Sequence, residues 1–189
     1  MLEFIQHIDE TILELIHIKW ANSLFDTIMP FVRNPYFWSP IYLFLLVYMW
    51  LNHKKEGLLW CLFFFITFIY CDFISASLIK PFFHRLRPCN EAYLPFSIRE
   101  IVSCGSGFSF PSSHAANHFG LSTFIILTLR HKNKWIVPLA IFWAVLVCYA
   151  QLYVAVHYPI DILCGAILGI AIAKLNSAYY MKRFKDFTF

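Results

Sequence analysis

The chain alternates between long apolar runs and short polar connections, and the runs predict helices. Five apolar runs cover residues 39–51, 57–79, 112–129, 135–153 and 159–173. A helix rises 1.5 Å per residue, so about 20 apolar residues cross the hydrocarbon core of a bilayer. The first run is short for a crossing, but Tyr36 and Trp38 can extend it at the membrane boundary.

The first 18 residues have a different pattern, in which one helical face is apolar and the remaining positions carry acidic side chains. The apolar positions are Leu2, Ile5, Ile8, Ile12, Leu15 and Ile16. This pattern predicts an amphipathic helix at the membrane interface, within a lead-in that covers residues 1–35. Residues 81–110, rich in proline and glycine, are expected to form a loop. The predicted fold class is an all-α polytopic membrane bundle of about five transmembrane helices plus the interfacial helix, in one domain over residues 1–189.

Composition agrees with a membrane protein. Hydrophobic residues make up 60% of the chain and charged residues 14%, against about 25% charged residues in soluble domains. The net charge of +4 is mild and spread along the chain, which argues against a nucleic-acid partner. The first ten residues lack the basic and apolar regions of a signal peptide, so no cleavage is predicted.

Basic clusters in the connections predict the orientation of the bundle. They follow the first, third and fifth runs, and consist of Lys54 and Lys55; Arg130, Lys132 and Lys134; and Lys182, Arg183 and Lys185. Alternating crossings put all three clusters on one side, which the positive-inside rule makes cytoplasmic. The 81–110 loop, His114 and His157 are then expected on the opposite, non-cytoplasmic side.

Three sets of polar residues fall at these non-cytoplasmic ends. The sets are Lys80 with Arg87; Ser112, Ser113 and His114; and His157 with Asp161. Lysine and arginine bind phosphate oxygens, and free N–H groups at a helix start attract anions. A carboxylate four residues after a histidine can fix the tautomer of the ring and leave its other nitrogen nucleophilic. Each set alone fits a snorkelling cation or a capped helix, but together they predict a phosphate site.

The ordered pattern Lys-x6-Arg-Pro, Pro-Ser-x-His and His-x3-Asp resembles the type-2 phosphatidic acid phosphatase family of membrane lipid phosphatases, which is related to the vanadium haloperoxidases. The resemblance covers residues 80–165. It implies that Lys80, Arg87, Ser112 and the backbone around Ser113 bind the phosphate group of the substrate.

The resemblance also implies a mechanism. His157 would attack phosphorus and form a phosphohistidine, with Asp161 orienting its ring, and His114 would protonate the leaving oxygen. No metal or other cofactor is implied. The partner would be a lipid phosphate in the bilayer, reached from the non-cytoplasmic face of a bacterial plasma membrane. Candidate substrates are undecaprenyl pyrophosphate, phosphatidylglycerol phosphate, phosphatidic acid and lipid A phosphates. The short outer loops favour a small-headed or prenyl lipid, and the pattern does not predict an oligomeric state.

Two positions depart from the family pattern. Ser113 stands where the second motif usually has glycine, which matters little if the backbone N–H still faces phosphate. Ala150 and Gln151 stand where the third motif usually has serine and arginine. A glutamine there donates a hydrogen bond without charge, at a cost of roughly 1.5–3 kcal/mol in binding a charged group. Either Arg85 or His84 would compensate, or the protein would be a catalytically weak lipid-phosphate binder.

Cys89 and Cys104 lie in one polar connection, 15 residues apart. On an oxidising face they would form a disulfide that stabilises the loop by roughly 3 kcal/mol. The alternative is two free thiols.

Two further hypotheses belong to other classes of protein. The first is a metal-dependent hydrolase or transport protein, in which a divalent metal is bound by His114, His118, His157 and Asp161. The neighbouring cations of the first motif argue against such a metal site. A noncatalytic membrane scaffold is the other alternative. Asp72, inside the second run, is expected to face the bundle as a structural partner.

Overall fold

The computed structural model describes residues 2–184, and its regular elements in that range are all helical. The α-helices are α1 (Leu2–Glu14), α2 (Ser23–Val32), α3 (Ser39–Asp72), α4 (Lys80–Phe83), α5 (Ser113–Leu129), α6 (Ile136–Tyr153) and α7 (Pro159–Arg183). Short π-helical segments cover Leu15–Lys19 and Phe73–Ile79, and 3-10 turns cover Pro35–Trp38 and Pro88–Asn90. The predicted all-α class is confirmed. Lys185, from the third basic cluster, lies outside the described residues.

Helix α3 holds the first two predicted runs and folds back on itself. The backbone at Lys54 has a φ of 48° and a ψ of −121°, which interrupts the helix. A Cβ atom on Gly57 would come within 2.0 Å of the carbonyl oxygen of Met49. Eight residues of straight helix would separate these two positions by about 12 Å. The two halves of α3 are therefore an antiparallel pair, and Gly57 permits their close approach.

Within residues 2–184, three segments are long and apolar enough to cross a membrane: Pro35–Asn90, Ile136–Tyr153 and Pro159–Arg183. The first of these contains the reversal at Lys54. Helix α5, with 17 residues, is about 26 Å long. An integral membrane protein is thus confirmed, and the count of five crossings stays a prediction.

Helix α5 lies at the centre of the bundle and packs against α3, α6 and, most extensively, α7. Small residues allow the α5–α7 approach. A Cβ atom on Gly165 would lie 2.4 Å from the carbonyl oxygen of Ser112, and one on Gly169 would lie 2.1 Å from that of Ala116. Glycines four residues apart on one helix let two membrane helices approach to backbone contact. This contact brings the beginning of α5 to the beginning of α7.

The N-terminal lead-in is folded onto the bundle rather than extended beside it. Helix α2, which the sequence analysis did not predict, begins after Asn22, whose side chain accepts a hydrogen bond from the N–H of Phe25 at 2.9 Å. Arg99 forms an ion pair with Asp26 at 2.9 Å and donates to the carbonyl of His17. These bonds fasten the lead-in to the loop before α5. The position of α1 relative to a membrane stays a prediction.

We expect Gly165→Ala to destabilise the protein by about 2 kcal/mol, because the added methyl group overpacks the contact with Ser112. In an open helix the same change would be stabilising. The measurement is thermal unfolding in detergent. Ile167→Ala, on the exposed face of the same helix, is the control. A Gly165→Ala protein as stable as the parent would contradict the close packing of α5 and α7.

Candidate active site

His157 lies in the connection between α6 and α7, and its side chain is 2% exposed. Two residues earlier, Ala155 has a φ of 53°, a left-handed conformation that turns the chain sharply after α6. The carbonyl of Ala155 accepts a hydrogen bond from the N–H of Cys89 at 3.1 Å, which fixes the turn against the preceding loop. Burial lowers the pKa of His157 to about 4, although Asp161 opposes this shift. The imidazole is therefore neutral, and nucleophilic, at neutral pH.

Asp161 occupies the first turn of α7 and connects several parts of the site. Its Oδ2 atom lies 3.6 Å from Nδ1 of His157 and accepts the N–H of Tyr158 at 2.8 Å. Its Oδ1 atom accepts a bond from Arg85 at 2.7 Å, and its carbonyl accepts the N–H of Ser112 at 3.0 Å. The carboxylate thus faces one side of the His157 ring. Nε2 is the ring nitrogen left for chemistry.

The start of α5 brings the second set of polar residues beside the third. Ser112 is fully buried and caps the helix, since its Oγ atom accepts the N–H of Ala115 at 3.3 Å. The hydroxyl of Ser113 is buried and has no hydrogen-bond partner among residues 2–184. His114 follows in the first turn. The free N–H groups of this turn form the kind of helix start that binds anions.

Lys80 and Arg87 approach the same site from the other side. The ammonium of Lys80 donates to the carbonyl of Phe108 at 3.1 Å. Arg87 donates to the carbonyl of Cys104. Its guanidinium also packs against Gly107, since a Cβ atom added to Gly107 would lie 3.2 Å from a terminal nitrogen of Arg87. Both cations are within electrostatic reach of His157. The structure thus brings the three predicted sets together.

Cys89 and Cys104 are joined by a disulfide, with 5.8 Å between their Cα atoms. Asn90 adds a hydrogen bond to the carbonyl of Gly105 at 3.1 Å. These two links close the loop around the guanidinium of Arg87. The loop therefore positions a cation of the site as well as covering it.

Arg85 is bound to two carboxylates and is not available to replace the missing family arginine. Its two terminal nitrogens donate to Asp161 at 2.7 Å and to Asp9 of α1 at 2.6 Å. Its guanidinium also lies 4.0 Å from the ring centre of Tyr158. His84, the other suggested replacement, is exposed and packs on Phe108 with 4.6 Å between ring centres. Neither residue supplies the compensation expected from the sequence.

Several buried polar groups of the site have no hydrogen-bond partner within residues 2–184. They are Nε of Arg33, Nε of Arg87, Oγ of Ser113, both side-chain polar atoms of Gln151 and Nδ1 of His157. Buried polar groups are normally paired, and an unpaired one costs about 1–3 kcal/mol. Most of these atoms are donors. A site with this composition fits an anion.

An apolar cleft of about 380 Å³ opens beside His114. It lies between the two halves of α3 and the start of α5, and its aromatic walls are Tyr36, Tyr42, Phe64, Phe65 and Phe68. Asp72 and His118 also line it. The proton donor suggested by the sequence therefore faces an apolar space, whereas His157 lies among the cations.

The histidines and acidic residues proposed as metal ligands do not form a metal-binding group. No cluster of three or more His, Cys, Asp or Glu side chains with suitable geometry occurs in the described part of the chain. Nδ1 of His118 contacts the carbonyl of His114 at 2.9 Å, one turn earlier in the same helix. Asp72 faces the bundle, as expected, and accepts a hydrogen bond from Asn117 at 3.0 Å.

The fold is that of an integral membrane protein, and the site brings the half-buried cations Lys80 and Arg87 together with two histidines. A family model described as the PAP2 superfamily matches residues 57–185. This chain therefore belongs to the PAP2 superfamily, as the resemblance in its motifs predicted, and it is a membrane phosphatase of that family.

Individual relatives support the same assignment. A lipid A 4'-phosphatase of Bacteroides thetaiotaomicron is 34% identical over 89% of this chain and 75% of the relative. An undecaprenyl-diphosphatase of Sulfolobus acidocaldarius is 30% identical over 84% of this chain and 70% of the relative. The crystal structure of a phosphatidylglycerolphosphate phosphatase from Bacillus subtilis has a TM-score of 0.70 at 25% identity, over 94% of this chain and 87% of that one.

Sequence reasoning missed contributions from the N-terminal lead-in. Asp9 is buried and holds both Arg85 and the N–H of Ile160, at 2.8 Å, although it stands in an ordinary amphipathic pattern. Arg33 ends α2 and places a buried nitrogen at the site. An arginine just after an apolar helix and before Asn34-Pro35 was the only available signal. That signal is equally typical of a helix end.

We expect the double variant Cys89→Ser/Cys104→Ser to lose about 3 kcal/mol of stability and much of its phosphatase activity. The loop would open, and Arg87 would lose its contact with the carbonyl of Cys104. Thermal unfolding and phosphate release, each with and without reductant, measure the two effects. Cys164→Ser, outside the loop, is the control. Full activity in the double variant would show that the disulfide does not position Arg87.

Proposed function

We propose that the protein hydrolyses the phosphate ester or pyrophosphate of a membrane lipid through a phosphohistidine on His157. The observation that carries this proposal is the pairing of a buried, neutral His157 with Asp161, within reach of the charges of Lys80 and Arg87. A neutral imidazole held by a carboxylate on one nitrogen is a nucleophile on the other. The adjacent cations and helix N–H groups stabilise charge on the transferred phosphoryl group.

In the first step, Nε2 of His157 attacks phosphorus and the bond to the lipid oxygen breaks. His114 donates a proton to that oxygen, which leaves as an alcohol or a lipid phosphate. The phosphoryl group is then covalently bound to His157. Lys80, Arg87 and the N–H groups around Ser113 hold its three oxygens during the transfer.

In the second step, water attacks the phosphoryl group on the face opposite His157. His114, now neutral, accepts a proton from that water as the phosphorus–nitrogen bond breaks. Inorganic phosphate leaves, His157 is free again, and His114 is reprotonated for the next turnover. Asp161 keeps its charge throughout, because its carboxylate, 3.6 Å from Nδ1, stabilises positive charge on the ring without taking its proton.

The apolar cleft beside His114 supports a lipid as the leaving group. The group that protonates the leaving oxygen must lie next to it. The leaving group therefore extends into the cleft lined by aromatic side chains of α3, where an acyl or prenyl chain is stabilised by burial. The phosphate end of the same substrate lies among the cations.

The relatives favour two substrate classes. The lipid A 4'-phosphatase supports a phosphate monoester of lipid A, and the undecaprenyl-diphosphatase supports a prenyl pyrophosphate. We propose the lipid A phosphate first, because that relative is the more similar of the two over a larger part of this chain. The short outer loops favour the prenyl pyrophosphate, so the lipid A phosphate and the prenyl pyrophosphate are compared in one assay.

The expected result is phosphate release from a lipid A monophosphate by the purified protein, and loss of at least 1,000-fold in kcat for His157→Ala. The panel includes undecaprenyl pyrophosphate, phosphatidylglycerol phosphate and phosphatidic acid. Vanadate should inhibit as a phosphate mimic, and a chelator should not. His131→Ala, in the connection between α5 and α6, is the control. Unchanged turnover in His157→Ala, or loss of turnover on chelation, would overturn the mechanism.

We also propose that the site opens on the non-cytoplasmic face of a bacterial plasma membrane. The basic residues of the connections at Lys54 and after α5 lie at the end of the bundle away from His157, which agrees with the positive-inside rule. The disulfide suits an oxidising compartment. Both observations support the same orientation.

Thiol labelling of intact cells tests this orientation. We expect an impermeant maleimide to label Glu100→Cys, in the exposed loop before α5, without permeabilisation. Lys132→Cys, exposed in the connection between α5 and α6, should react only after the membrane is opened. Both are made in a Cys164→Ser background. The reverse labelling pattern would place the site in the cytoplasm.

A further inference from the structure

Arg33 lies at the end of α2, in a segment that is packed against α6 near Gln151. The indole N–H of Trp38 donates to the carbonyl of Val32 at 2.8 Å, so the backbone on both sides of Arg33 is fixed. Val32 and Trp38 belong to one buried cluster with Ala150 of α6. The residue that follows Ala150 is Gln151, whose side chain is fully buried. The lead-in and the third motif therefore meet at this point.

Arg33 is half-buried, and the Nε atom of its guanidinium is out of solvent. This Nε atom has no hydrogen-bond partner, and no carboxylate forms an ion pair with Arg33, within residues 2–184. Burial lowers the pKa of Arg33, and the positive charge of Arg87 lowers it further. Arg33 is also within electrostatic reach of His114. Arg33 thus lies within electrostatic reach of a cation and a histidine of the proposed phosphate site.

Ordinary structural roles for Arg33 do not account for this environment. An arginine at a helix C-terminus interacts with the last carbonyl groups while its head stays in water. A snorkelling arginine extends its guanidinium to lipid head groups. Neither role places a guanidinium nitrogen out of solvent within electrostatic reach of a second arginine. A phosphate group close to both cations would offset their mutual repulsion.

We propose that Arg33 binds the phosphoryl group of the substrate and supplies the positive charge that Gln151 does not carry. This inference rests on the phosphatase function proposed above. The planar guanidinium would contact two phosphate oxygens, as arginine does at phosphate sites generally. Gln151, buried with both polar atoms unpartnered, adds a neutral hydrogen bond. The cation of the site thus comes from the N-terminal lead-in rather than from α6.

The primary test is Arg33→Gln, assayed by phosphate release from the lipid on which the parent protein is active. We expect kcat/KM to fall roughly 10- to 100-fold, since a charge-assisted contact is lost. Inhibition by vanadate should weaken by a similar factor, which a purely structural role would not cause. Arg130→Gln, an exposed arginine at the far end of α5, is the matched control. An Arg33→Gln enzyme with kcat/KM and vanadate inhibition within twofold of the parent overturns the proposal.

A double-mutant cycle tests whether positions 33 and 151 supply the same charge. We expect the effect of Gln151→Arg on kcat/KM to be at least tenfold more favourable in the Arg33→Gln background than in the parent, because the parent site already holds that cation. Equal effects of Gln151→Arg in both backgrounds overturn the proposal. If Arg33→Gln is not recovered as folded protein, Arg33→Met, which keeps an apolar stem but no charge, takes its place in the cycle with the same criterion.

His157→Ala separates this inference from the function on which it rests. Loss of turnover in His157→Ala together with parental behaviour of Arg33→Gln rejects only the role of Arg33. Retention of turnover in His157→Ala rejects the proposed mechanism itself.

Discussion

The carboxylate of Asp161 is the interaction on which the rest of the site depends. It accepts bonds from the guanidinium of Arg85 and the N–H of Tyr158, and it faces the ring of His157. The carbonyl of the same residue holds the N–H of Ser112. A buried charge is stable only when it is paired and hydrogen-bonded. The bonds that keep Asp161 ionised therefore also fix the relative positions of the loop before α5, the turn after α6 and the start of α7.

The lead-in is part of the active-site architecture, although the family match begins at residue 57. Asp9 of the lead-in pairs with Arg85. Tyr36 and Tyr42, which follow the lead-in and also precede the matched region, line the apolar cleft. These residues lie outside the part of the chain that carries the family motifs. The cleft is lined from both sides of that boundary, since Phe64, Phe65 and Phe68 lie within the matched region.

Much of this arrangement could be predicted from the sequence. Apolar runs predicted α5 and α6 to within one residue, and the start of α7, because a membrane helix must be apolar along its length. Helix α7 continues to Arg183, beyond the predicted end at residue 173. Motif spacing identified His157 and its neighbours. The reversal within α3 and the helix α2 depend on backbone contacts between segments, such as that of Gly57 with Met49, and these have no local signature. Arg85 and Arg33 have the same chemistry, and only tertiary structure shows that carboxylates bind one and not the other.

The half-buried cations have an energetic consequence for the proposed catalysis. Burial and the positive charge of Arg87 both disfavour the charged form of Arg33, which is an electrostatic cost. Under the proposed function a phosphate group would relieve that cost, most of all when negative charge on the phosphoryl oxygens is closest to both guanidinium groups. Binding of the phosphate head and stabilisation of the transferred group therefore have the same physical origin.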